Sequence, residues 1–134
     1  MINNQKILFK FIQINNNVNW PSISFYYKLS ENFIREFKDK VDWYKMSYRQ
    51  KLSENFIRKF ENKVYWSFIS AYQKLSESFI KEFKDKVNWS EISIFQELSE
   101  NFIQEFQDKV NWDKISAYKN LSEKFKKEFK YKLK

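Results

Sequence analysis

The chain has 134 residues, carries 25 Lys and Arg against 17 Asp and Glu for a formal net charge of +8, and contains no Gly, no His, no Cys and one Pro. Without imidazole or thiolate there is no His-based proton shuttle, thiol nucleophile, disulfide framework, Fe–S cluster or ordinary zinc site, and without Gly there is no phosphate-cradling glycine loop. Most enzyme classes thereby lose the residues they depend on. The expectation is a protein with no catalytic centre, no cofactor, no metal and no small-molecule substrate. Aromatic residues make up 21% of the chain, and each buried ring removes about 150–250 Å² from water, enough to hold even short elements in place.

The leader, residues 1–17, holds one apolar run, Ile7 to Ile14, which Lys10 and Gln13 interrupt. It is too short and too polar for a transmembrane span and lacks a signal-peptidase site, so an intracellular soluble protein is expected. Phe11 and Ile14 align with apolar residues further along, Ile34 and Phe37. The leader is therefore expected to cap the array that follows.

From Val18 onward the sequence repeats itself every 23 residues. Val18, Val41, Val64, Val87 and Val110 are each followed two residues later by Trp20, Trp43, Trp66, Trp89 and Trp112. The shared pattern V-x-W-x-x-[IM]-S-x-x-x-x-L-S-E-x-F-[IK]-x-x-F-x-x-K defines five copies at 18–40, 41–63, 64–86, 87–109 and 110–134. Each copy reads as two short helices of about 10 residues. In the first, Asn19 is the N-cap, Val18 and Ile23 form a hydrophobic staple around it, and Pro21 falls in the first turn, where its missing N–H costs nothing. Asp42, Asn88 and Asn111 repeat the cap, whereas Tyr65 breaks it. In the second helix Ser30 is the N-cap between the staple residues Leu29 and Ile34, with Glu31 complementing the helix dipole. Such helices are too short to be stable alone, and one pair cannot close a core. The predicted fold is all-α, an α-solenoid of stacked short helix-turn-helix repeats. Ile34, Ile57, Ile80 and Ile103 become Lys126 in the last copy, as expected where no further repeat covers the position.

The pattern V-N-W-x-x-I-S followed by L-S-E-x-F-I-x-E-F-x-D-K-V-x-W resembles a tandem repeat found in proteins of giant DNA viruses of amoebae. The resemblance covers the array and not the leader. It implies no enzymatic activity, cofactor or defined ligand, and would place the protein in a host cytoplasm. The 22 Lys against 3 Arg fit the AT-rich coding of such genomes.

The tryptophans and the repeated Phe33, Phe56, Phe79, Phe102 and Phe125 are expected in the core, and Trp66→Ala to cost about 3–5 kcal/mol as a buried aromatic deletion. Ser24, Ser47, Ser70, Ser93 and Ser116 sit in mid-helix, where a small side chain permits close approach. Glu31, Glu54, Glu77, Glu100 and Glu123 are expected as helix-start charges bridged to lysines of adjacent repeats. Variation falls instead on Tyr26, Arg49, Tyr72, Phe95 and Tyr118, on neighbouring Phe25 and Tyr48, and on Tyr44, Lys45 and Phe68. These form a candidate recognition strip for a protein partner, and the expected role is a non-enzymatic interaction or structural scaffold. The alternative is electrostatic binding of nucleic acid or anionic membrane through a basic cluster, Lys124, Lys126, Lys127, Lys130, Lys132 and Lys134. Charge by segment is +2 for the leader and then +1, +3, +1, −4 and +5. The acidic fourth repeat disfavours a continuous groove for a polyanion.

Overall fold

The computed structural model describes residues 4–133. Among these the chain forms eleven helices and no strand: α1 (Asn4–Ile14), α2 (Trp20–Tyr26), α3 (Glu31–Glu36), α4 (Trp43–Arg49), α5 (Glu54–Lys59), α6 (Trp66–Tyr72), α7 (Glu77–Glu82), α8 (Trp89–Phe95), α9 (Glu100–Glu105), α10 (Trp112–Tyr118) and α11 (Glu123–Glu128). It is a helical repeat solenoid in which the even-numbered helices are the first, and α3 to α11 the second, of each pair. The chain falls into two compact units, Met1–Tyr65 and Trp66–Lys134. In one, α2 packs on α4; in the other, α8 packs on both α6 and α10. No helix among the described residues is long and apolar enough to cross a membrane.

The capping grammar holds at the level of single atoms. Ser30, Ser53, Ser76, Ser99 and Ser122 each accept the N–H three residues on, from Phe33, Phe56, Phe79, Phe102 and Phe125. Asn19, Asp42, Asn88 and Asn111 cap the first helices through the same side-chain oxygen. The helices are shorter than the 10 residues expected, seven in the first of each pair and six in the second. The apolar pattern overruns the helix because Phe37 and its equivalents serve as C-caps. Beyond Phe37 the chain turns back, with the Lys40 and Val41 N–H groups both donating to Phe37 O, at 2.9 and 3.0 Å. No described residue has a positive φ. Helix ends built this way need no left-handed residue, so a glycine-free chain can make them without strain.

The core is the aromatic pair of each second helix. Phe33, Phe56 and Phe79 are essentially inaccessible, as are Ile34, Ile57, Ile80 and Ile103. Phe56 and Phe60 lie 4.7 Å apart between ring centroids, and Trp43 covers both, at 6.2 and 5.1 Å. Trp89 does the same over Phe102 and Phe106. The tryptophans are half-buried rather than core residues, because the indole N–H has to reach a carbonyl at the edge. Trp43, Trp89 and Trp112 donate to Lys38 O, Lys84 O and Gln107 O at 2.8–2.9 Å. Each thereby satisfies a carbonyl just past the preceding helix.

The leader caps its unit in a different register from the one expected. Leu8 is buried, and Phe9 packs edge-on against Phe33 at 5.2 Å and against Phe37 at 5.3 Å. Phe11 and Ile14 are exposed instead. Gln5 sets the register, its Nε2 donating to Lys28 O at 2.7 Å and its Oε1 accepting the Ser30 N–H at 3.1 Å.

Candidate functional site

Within each unit, three kinds of polar bond tie neighbouring repeats together, and they determine which side chains are left for anything else. Mid-helix serine makes the first. The hydroxyl of Ser93 donates to Trp89 O at 2.6 Å and accepts the Asn111 N–H of the next repeat at 3.0 Å. Ser24 accepts the Asp42 N–H, Ser47 the Tyr65 N–H and Ser70 the Asn88 N–H, all at 2.9–3.0 Å. These serines are wholly buried. Small size explains only half of the choice, and the hydroxyl explains the rest.

Glutamine, which attracts no notice in the sequence, makes the second ladder. Gln50 Nε2 donates to Ser24 O and Tyr27 O, at 2.8 and 2.7 Å, while its Oε1 accepts the Leu29 N–H at 2.9 Å. Gln96 repeats all three bonds with Ser70 O, Gln73 O and the Leu75 N–H. A carboxamide offers two N–H donors and a carbonyl acceptor at one side-chain tip, where a hydroxyl has a single donor. The recurrence of Gln at this spacing was the available signal.

The third ladder corrects the expected role of glutamate. Glu31 accepts the N–H and the hydroxyl of Ser53, at 2.7 and 3.0 Å, and Glu100 does so from Ser122, both at 2.7 Å. For Glu31, Glu77 and Glu100 the partner is thus the next N-cap serine and not a lysine of the adjacent repeat, because the cap backbone lies within reach and a hydrogen-bonded carboxylate outweighs a screened surface pair. Glu123, by contrast, pairs with Lys126 of its own helix. The bond from the Ser122 N–H, and then that from its hydroxyl, hold the Glu100 carboxyl below its ordinary value, against a small opposing effect of burial. Inter-repeat ion pairs do occur, from Asp39 to Lys63 at 3.7 Å and from Asp85 to Lys109 at 3.8 Å.

What the ladders leave exposed is the C-terminal end of the first helices. Tyr26, Arg49, Tyr72, Phe95 and Tyr118 are the last residues of α2, α4, α6, α8 and α10, and all are exposed. In the unit Met1–Tyr65 the strip residues converge on Phe25. Tyr48 stacks on it at 6.1 Å, Tyr26 meets it edge-on at 4.8 Å, and Lys45 and Arg49 lie over its ring at 5.5 and 4.8 Å. Lys45 also lies 5.5 Å from the Tyr44 ring, and Tyr44 meets Tyr65 edge-on at 5.3 Å. In the unit Trp66–Lys134, Phe68, Tyr72 and Phe95 form an uncharged ladder with centroids 6.1 and 6.3 Å apart. Tyr118 is exposed one repeat further on. Tyr65, the residue that breaks the cap pattern, also belongs to this surface, half exposed and edge-on to Tyr44.

The lysines of the basic cluster engage separate neighbours, though Lys126 and Lys130 line one cavity. Lys124, Lys126, Lys127, Lys130 and Lys132 are all exposed. Lys126 pairs with Glu123 at 3.3 Å, Lys130 lies over Tyr131 and Lys132 over Trp112. Lys134 lies outside the described residues. No group of three His, Cys, Asp or Glu side chains among the described residues could hold a metal ion. No protein-family model, curated protein or solved structure matches the chain. The resemblance to viral tandem repeats rests on the sequence motif alone.

Proposed function

We propose that the protein is a non-enzymatic repeat scaffold whose first-helix ends bind a partner protein. The observation that carries this reading is the stacked, solvent-exposed pair Tyr72 and Phe95, each more than half accessible. Contiguous exposed apolar surface is rare unless it is used. Aromatic residues and arginine are also the side chains that dominate protein interfaces. A nucleic acid is less well served, because Phe95 lies on the acidic fourth repeat, whose net charge is −4.

The test places a photo-crosslinking aromatic amino acid at Phe95 and, as a control, at exposed Gln104 on α9. Full-length protein is irradiated in extract of its native host. Adducts specific to position 95, lost when Tyr72 is replaced by Ser, support the strip. Equal crosslinking from both positions counts against it.

A further inference from the structure

The last repeat breaks the glutamine ladder, placing Lys119 where the three preceding copies have Gln50, Gln73 and Gln96. Lys119 keeps the donor half of the arrangement: its ammonium donates to Ile94 O at 3.2 Å and to Gln96 O. It gives up the acceptor half, since an ammonium has no lone pair. The Leu98 N–H therefore lacks a counterpart of the bond from the Leu75 N–H to Gln96 Oε1 at 3.0 Å. Leu98 is accordingly half-buried, whereas Leu29, Leu52, Leu75 and Leu121 are buried. Desolvation pushes the Lys119 pKa below the ordinary lysine value, against the opposing pull of the Glu97 carboxylate. Glutamine would make more bonds with no charge to desolvate. The replacement weakens the stack in exchange for a positive charge, and the feature beside that charge is a cavity.

The cavity has a volume of about 290 Å³ and is lined by Ser116, Lys119, Asn120, Leu121, Lys126, Lys130 and Leu133. We infer that it is a binding site for a compact oxyanion of the phosphate-monoester class, held by the ammonium groups of Lys119, Lys126 and Lys130. Lysine binds phosphate as a point charge, and three cations suit a dianion better than a carboxylate. Lys119 has a third N–H beyond the two given to carbonyls. Lys126 is engaged with Glu123 in a pair exposed on both sides, and such pairs contribute only ~0–1 kcal/mol, so a dianion displaces it readily. Among the described residues, Lys130 has the Tyr131 ring beneath its ammonium, at 5.1 Å, and no ion pair.

The experiment titrates the isotope-labelled full chain with inorganic phosphate, acetate and phosphatidic-acid vesicles, following amide shifts at Leu98, Ser116 and Asn120. Saturable phosphate binding stronger than acetate binding is expected. Lys119→Gln, which installs the residue of the sister repeats, and Lys126→Gln should each weaken it by about tenfold or more, the loss of one hydrogen bond to a charged group. Lys124→Gln, outside the cavity, should change it by less than about twofold, as a screened surface charge does. Binding to vesicles that also depends on Lys119 supports the site with a lipid headgroup as source, and binding to free phosphate alone supports it with a soluble source. Shifts that do not saturate, or equal weakening by Lys124→Gln and Lys119→Gln in proteins of equal helicity, overturn it.

Discussion

The two helices of the repeat have followed different rules. The second helices are near copies of one another, with N-cap serines at φ between −74 and −66° and ψ between 153 and 156°. The first helices share a mid-helix serine, buried in four of the five, and at four of five starts an Asn or Asp cap, yet ψ at those caps ranges from 87 to 106°. Their exposed ends carry Tyr, Arg, Tyr, Phe and Tyr in succession. The fixed helix is where packing leaves no freedom, and the variable one is where packing makes no demand. Stability thus rests on the fixed positions of the 23-residue unit, and the recognition we propose falls on its variable ones.

The largest effect that sharpens this contrast is expected at the fixed helix. Phe79 is 1% exposed, and Phe79→Ala should lower the unfolding free energy by about 3–5 kcal/mol, measured by urea denaturation. Trp66→Ala should cost less, because its ring is half-buried, in place of the full core value expected from sequence. Next comes the serine ladder. Ser93→Ala deprives Trp89 O of a donor and the Asn111 N–H of its acceptor, and should cost about 1–3 kcal/mol, the penalty for an unsatisfied buried group.

The smallest effect concerns pH. The Glu100 carboxyl titrates below its ordinary value of 4.5 in the folded state. Its contribution is therefore present above that value and is lost as pH falls through the lowered folded pKa. Glu100→Gln should make the protein slightly less stable at neutral pH and flatten the acid limb of its stability profile, read by thermal melting between neutral and acid pH.

Local features were legible in the sequence and distant ones were not. The caps at Ser30 and Asn19 lie three residues from the N–H groups they accept, so spacing alone displays them. The partners of Gln50 are backbone atoms 21–26 residues away, and a sequence does not display carbonyls. Phe37 and Phe60 lengthened the apparent helix because a C-cap can be as apolar as the turn before it. The leader's apolar residues suggest one register, yet the bonds of polar Gln5 to Lys28 and Ser30 fix another. The exposed strip was visible as variation between copies. The convergence of Lys45, Arg49 and Tyr48 on Phe25 depends on helix packing that spacing does not specify.

Phe95 and Gln96 are neighbours in the chain with opposite assignments, and urea unfolding of Phe95→Ser beside Gln96→Leu tests the division most directly. Gln96→Leu leaves the Leu75 N–H and two carbonyls without their partner and should cost about 3 kcal/mol. Phe95→Ser removes one exposed stacking contact and should cost about 1 kcal/mol or less. Equal costs, or a larger cost at Phe95, would contradict the separation of stability from recognition.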